Sequence, residues 1–260
     1  MTAILNVLRS AAMAISCFSN VPVPQVEWRE ENMRYMMCFF PLVGVIIGLV
    51  LAVWTWLART LGFGPVLFGA GLALLPILVS GAIHMDGFCD VIDAQSSHAA
   101  PERKREILKD PHTGAFAGIG IAIYIVAYVA FATELEATWL TVGLLAGGHV
   151  ASRCLSGIGT LAYPTSASKG MLSMFHDSGK GRALIVLLIE LVVCSIFMGF
   201  VWAPGAVAML GIALVCLILL YPFAKTQFGG MSGDLAGFFL QVAELCMVIA
   251  LVLVVKVVGL

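Results

Sequence analysis

Three aspartates, Asp86, Asp90 and Asp93, stand close together in the stretch "GAIHMDGFCDVIDAQ" (residues 81–95) of an otherwise very apolar chain. Their spacing is i, i+4 and i+7, so on a helix they project from one face with about one turn between neighbours. Three like charges in a row repel, and a purely structural helix gains nothing from them; a hard divalent cation held by oxygen ligands cancels the repulsion. An all-carboxylate set favours Mg²⁺, with Mn²⁺ as the alternative, over zinc. Asp86, Asp90 and Asp93 are therefore expected to hold metal, and Gly87 beside the first of them leaves room for a phosphate to approach the backbone.

Other polar residues gather around this row. His84 and His112 flank it, and His84 is a candidate contact to phosphate or substrate. In "LKDPHTGAFAGIG" the turn at Asp110 and Pro111 aims the Asp110 side chain back toward the acidic stretch. In "FGGMSGDLAGFF", Gly229, Gly230 and Gly233 suit a loop lying close to a ligand, and Asp234 begins the last apolar run, either in the site or as an ordinary helix cap. Arg153, Glu190 and Glu244 lie inside apolar runs and should face the interior of a bundle. Arg153 reads equally as a phosphate ligand and as half of a structural ion pair. The basic run "ERKRE", with Arg103, Lys104 and Arg105, reads as a solvated face.

The elements that must position these groups follow from composition. Of 260 residues, 61% are hydrophobic and 11% charged, with mean hydropathy +1.03, which excludes an ordinary soluble domain. Apolar runs near 36–58, 65–84, 113–133, 139–161, 183–202, 206–222 and 235–258 are long enough to cross hydrocarbon and continuous rather than alternating. The expectation is an all-α polytopic bundle of about seven transmembrane helices, one integral membrane domain over 1–260. Arg9 interrupts the apolar N-terminus, so residues 1–18 read as a retained interfacial or membrane-embedded helix rather than a cleaved leader. Basic residues (Arg29 and Arg34; Arg103, Lys104, Arg105 and Lys109; Lys169, Lys180 and Arg182; Lys225) fall in alternate connections, which makes those cytoplasmic. The polar segments 19–35, 85–112, 162–182 and 223–234 then share one side, where a single site can draw on all of them. A net charge of −1 gives no bulk attraction for nucleic acid. The seven cysteines are scattered singly, without a disulfide or zinc pattern. Spacings of the GxxxG kind are too common to prove a homo-oligomer, which stays open.

Taken together, the chain resembles the cobalamin synthase family, the adenosylcobinamide-GDP ribazoletransferases. The resemblance rests on "NVPVP", "FFPLVGVIIG", "HMDGFCDVIDA", "EILKDPHTG", the pair Ser152 and Arg153, and "GGMSGDLAG" leading to Glu244, in order from about residue 20 to 250. Departures are Ala94 where glycine is usual, Lys109 before Asp110 where arginine is usual, and an unfamiliar stretch from Pro164 to Asp177. The resemblance implies a reaction of adenosylcobinamide-GDP with α-ribazole, or its 5'-phosphate, to give adenosylcobalamin, or its phosphate, and GMP. It implies a fold similar to the CDP-alcohol phosphatidyltransferases and a bacterial or archaeal inner-membrane location with the site facing the cytoplasm. For the chemistry, Asp110 is the first choice of base and Asp93 the second. Arg153 and His84 would steady phosphate, while Asp234 with Gly229, Gly230 and Gly233 would line the cavity or complete the metal site. A phospholipid-forming CDP-alcohol phosphatidyltransferase is the nearest rival, but its Ala-Arg pair is missing; a secondary transporter is the rival from another class, and the chain lacks the repeat such carriers usually show.

Overall fold

Proline, glycine and hydroxyl side chains mark where the helices begin and end. In the computed structural model, which describes residues 2–29, 33, 35–110, 112–165 and 180–258, the elements are α1 (Thr2–Phe18), a 3₁₀ turn (Met36–Phe39), α2 (Phe40–Leu61), α3 (Pro65–Val79), α4 (Ile83–Ser96), α5 (Pro101–Ile107), α6 (Ala115–Ala132), α7 (Trp139–Ala162), α8 (Lys180–Phe228) and α9 (Gly233–Val258). Pro65 and Pro101 occupy first helical positions, where a missing N–H costs nothing. Gly62 ends α2 in the left-handed conformation (φ 68°), and its N–H donates back to the Ala58 carbonyl. Thr138 caps α7, its hydroxyl accepting from the Thr141 N–H at 3.1 Å. The described residues hold no strand, only an isolated bridge between Thr165 and Met231. Arg34, Pro111, Lys169 and most of the stretch from Pro164 to Asp177 lie outside the described residues.

All seven apolar runs fall on helices. Among the described residues, four helices are long and apolar enough on their own to cross a membrane, and a fifth crossing is reached if α3 and α4, bent by 95° at their junction, count as one broken span. The expected run 65–84 therefore stops at Val79, and the polar segment from residue 85 onward is helical in α4 and α5. The bend is made by Gly81 (φ 63°) and Ala82 (φ 59°), and the side chain that Gly81 lacks would meet the Asn20 Oδ1 at 2.5 Å.

α8 contains two of the runs. Its 49 residues would make a rod of about 74 Å, more than twice the thickness of hydrocarbon. Trp202, with extended φ −169° and ψ 106° just before Pro204, breaks it. Along the first arm Leu187 faces Gly157, Met198 faces Gly147 and Val201 faces Gly143, which is antiparallel to α7; along the second, Met209 faces Gly148 and Leu217 faces Gly159, which is parallel. The chain therefore reverses at Trp202.

α7 is the hub of the bundle. Its small residues allow close approach: a Cβ on Gly44 of α2 would lie 2.6 Å from the His149 carbonyl oxygen, and one on Gly48 would lie 2.7 Å from Ala146. The Gly44 and Gly48 pair is thus used within the chain. α9 runs antiparallel to α7, with Ser156 bonded to the Ala236 carbonyl and Ser152 to Glu244. α1 is too short to cross and lays Met13 and Ala14 against the bundle, while Leu5 and Leu8 stay exposed.

Candidate active site

α4 is a helix throughout the acidic stretch, so Asp86, Asp90 and Asp93 do share one face. Ala94 sits inside that helix, fully buried and without positive φ, so nothing at this position requires glycine. The opposite face is apolar: Phe88 packs on Tyr124 of α6 and Phe238 of α9, with centroids 5.4 and 5.8 Å apart. Burial of that face points the carboxylates away from the core.

Asp93 has a structural partner of its own. Its Oδ2 accepts from the Gly114 N–H at 2.6 Å and its Oδ1 from the Ala117 N–H at 2.9 Å, which caps the N-terminus of α6 from a neighbouring helix. Gly114 is needed there, since a Cβ would meet the Asp93 carboxylate at 2.6 Å. Asp93→Ala should lower stability by about 1 kcal/mol, the usual worth of a cap. Asp93→Asn, which keeps one acceptor, should retain most of that. Thermal unfolding of the two variants in one detergent checks this, and equal losses would remove the cap from the account.

Asp234 completes the group from α9. The cap of α9 is Ser232, whose hydroxyl accepts from the Leu235 N–H at 3.2 Å, so Asp234 does not serve as one. Where α4 crosses α9, the side chain that Gly87 lacks would lie 2.8 Å from the Asp234 Cα and from its carbonyl oxygen. The space expected for a phosphate at Gly87 is thus given to the α9 backbone, and this contact draws Asp234 to the row. The charges of Asp86, Asp234 and Asp93 all bear on Asp90. Among the described residues no cation pairs with any of the four. Nor do any three His, Cys, Asp or Glu side chains there converge into a ready metal shell.

The polar segments meet at this end of the bundle. Gly229 (φ 73°) and Gly230 (φ 145°) turn the chain from α8 into α9, with Arg105 against Gly229, while Gly233 lines a cavity. The Met231 N–H donates to the Pro164 carbonyl at 2.8 Å, tying in the end of α7. Lys104 is buried, and its Nζ donates to Gln95 at 2.8 Å and Gln227 at 2.6 Å, clamping α5 between α4 and α8. The solvated reading of "ERKRE" does not hold for this residue. Helical phase turns it inward, and only the positions of Gln95 and Gln227 reveal why.

Two predicted residues lie apart. Asp110 is on a surface turn, its side chain 54% exposed, accepting from the His112 N–H at 3.0 Å and lying 2.7 Å from the His112 Nδ1. These hydrogen bonds hold its carboxyl below the ordinary range. It does not line the cavity beside Asp86 and Asp234. Arg153, 1% exposed, is ion-paired with Glu244; the Ser152 hydroxyl donates to Glu244 at 2.9 Å, and the His149 ring is 3.2 Å away. Pairing Ser152 and His149 with Glu244 is visible only once α7 and α9 are brought together.

The profile of the cobalamin-5-phosphate synthase family matches residues 10–252. The chain is 40% identical over 247 residues to the adenosylcobinamide-GDP ribazoletransferase of Lachnoclostridium phytofermentans, covering 95% of this chain and 94% of that protein.

The chain belongs to the cobalamin-5-phosphate synthase family.

Relatives carrying the same enzyme name include one from Clostridium botulinum (strain Alaska E43), 32% identical over 92% of this chain and 95% of its own length, and one from Geobacillus kaustophilus, 30% identical over 89% and 90%. No solved structure matches the chain. The matched region takes in α4, the α8 to α9 turn and the Arg153 and Glu244 pair, so the acidic face and the network behind it both belong to the part shared with the cobalamin-5-phosphate synthase family.

Proposed function

We propose that this chain is an adenosylcobinamide-GDP ribazoletransferase, joining adenosylcobinamide-GDP to α-ribazole or its 5'-phosphate, with release of GMP, in the inner membrane and with its site toward the cytoplasm. The observation that carries this reading is the four-carboxylate face, Asp86, Asp90 and Asp93 against Asp234, beside a cavity of about 360 Å³ in a member of the family.

Carboxylates strung along one face, with no cationic partner and no closed shell among the described residues, fit Mg²⁺, which keeps several waters and is usually held by one or two carboxylates together with substrate phosphates. Asp86, Asp90 and Asp234 would hold it, and Asp93 would contribute the lone pairs its two N–H donors leave. A bound divalent cation supplies charge neutralisation for the diphosphate and for departing GMP. In the transfer, the ribose hydroxyl oxygen bonds to the cobinamide-side phosphorus, the anhydride P–O bond breaks, GMP leaves with the electron pair, and the hydroxyl proton passes to a base. Asp93, fixed by two backbone N–H groups, is better placed against the row than Asp110, which would have to act from its surface turn.

The test is GMP release by purified protein in detergent or liposomes, with Mg²⁺ and then with EDTA. Turnover with a cobalamin product is expected with the cation and should fall to background on chelation, returning when Mg²⁺ or Mn²⁺ is restored. Chelation-insensitive turnover would remove the metal from the account. GMP absent from folded, metal-supplied protein, with CMP released from a CDP-alcohol instead, would move the reading to the phosphatidyltransferases.

A further inference from the structure

Beside Asp86 and Asp234 the cavity runs under the C-terminal end of α1 and becomes apolar, with Phe18, Met37, Phe40 and Leu240 in its wall. Phe18 and Phe40 have ring centroids 4.4 Å apart, and His84 joins them, stacked on Phe18 at 6.2 Å and edge-on to Phe40 at 5.6 Å. His84 is 5% exposed, and its Nε2 is buried with no hydrogen-bond partner among the described residues. A buried ring nitrogen beside an aromatic-walled cavity is costly to leave unpaired, so it marks a place where a ligand supplies the missing bond.

The hydroxyls in the wall are already engaged. Ser156 donates to the Ala236 carbonyl at 3.3 Å, Ser232 caps α9, and Thr160 has a partner of its own. Apart from the Asp86 and Asp234 carboxylates, the cavity therefore offers flat apolar surface and one unpaired imidazole nitrogen. A guanine seated on the aromatic wall would find only His84 to meet the several donors and acceptors along its edge, and a corrin macrocycle does not fit in about 360 Å³. A benzimidazole, apolar and flat with a single free ring nitrogen, matches on both counts.

We infer that this cavity binds the heteroaromatic base of the acceptor nucleoside, with the base against Phe18 and Phe40, its ring nitrogen bonded to His84, and the ribose directed at Asp86 and Asp234. The inference rests on the transferase reading for the identity of the acceptor. It makes Phe40 and His84 binding residues for α-ribazole, and it leaves the GDP-linked corrinoid to the open side of the carboxylate row.

The experiment measures GMP release by the full chain in detergent, varying each substrate with the other saturating, for wild type, Phe40→Leu, Phe40→Ala, His84→Gln and His84→Leu. The KM for α-ribazole should rise about tenfold in Phe40→Leu and Phe40→Ala, the scale of one lost aromatic contact, while the KM for adenosylcobinamide-GDP stays within about twofold. His84→Gln, which retains a donor, should keep more affinity than His84→Leu. Equilibrium dialysis of α-ribazole against the protein without corrinoid should show the same order, and Phe40→Leu guards against an unfolded alanine variant because it nearly preserves volume. A rise confined to the KM for adenosylcobinamide-GDP would put the nucleotide in the cavity, and unchanged KM values in folded variants would leave it to lipid; either overturns the inference. Binding of α-ribazole that depends on Phe40 in a wild type making no GMP would uphold the cavity while refuting the transfer reaction.

Discussion

Asp86→Asn and Asp90→Asn should each reduce GMP release by about a thousandfold, the upper range for loss of one charge-stabilising group, in proteins at least as resistant to unfolding as wild type. The two halves of that expectation come from one observation. The four carboxylates bear on one another and have no cationic partner among the described residues, so removing one charge relieves repulsion in the metal-free protein. The same removal takes away a ligand needed only when Mg²⁺ and the diphosphate arrive. Structural carboxylates behave in the opposite way, losing stability first. The pairing of lost turnover with retained or raised unfolding temperature, measured on one preparation, is therefore the signature. Turnover within about tenfold of wild type in either variant would take the row out of the chemistry.

Glu244→Ala should destabilise the bundle by about 3–5 kcal/mol, because it strands the Arg153 guanidinium where only 1% of that residue reaches the surface. Ser152 would keep only the His149 carbonyl, at 3.0 Å, and the His149 ring would lose the carboxylate beside it. Arg153→Met combined with Glu244→Leu removes both charges and should recover most of the stability, since an apolar pair of similar volume replaces a buried ion pair at little cost. Equilibrium unfolding in mixed micelles across the cycle measures the coupling. The double variant also separates the two uses open to Arg153. Retained turnover makes the pair structural, and lost turnover in a stable double variant means that the guanidinium reaches substrate. A Glu244→Ala loss below about 1 kcal/mol would mean that the pair is hydrated and the network of little consequence.

Much of this site was legible in the chain. The i, i+4, i+7 spacing placed Asp86, Asp90 and Asp93 on one helix face because the helical period is a local property, and α4 has that period. Glu244 and Arg153 were expected to face inward because a charge facing lipid is expensive, and they do. Asp234 was ambiguous for an equally physical reason, since an aspartate at the start of a helix is a common cap; Ser232 takes that duty and frees it. Lys104 was misread because its charge suggests solvent, and its burial depends on two glutamines, one of them 123 residues away.

By itself, the sequence determined the helices, their membrane character, the acidic face and the family, because hydrophobic length, periodicity and motif order are properties of the chain read along its length. The tertiary structure alone decided three further matters: that Asp234 joins the row across Gly87, that Asp93 caps α6, and that Arg153 is taken by Glu244 some 91 residues away. The physical reason is common to all three. Close approach between helices is set by which small side chains let two backbones touch, and that depends on how distant segments pack rather than on the preference of either segment alone.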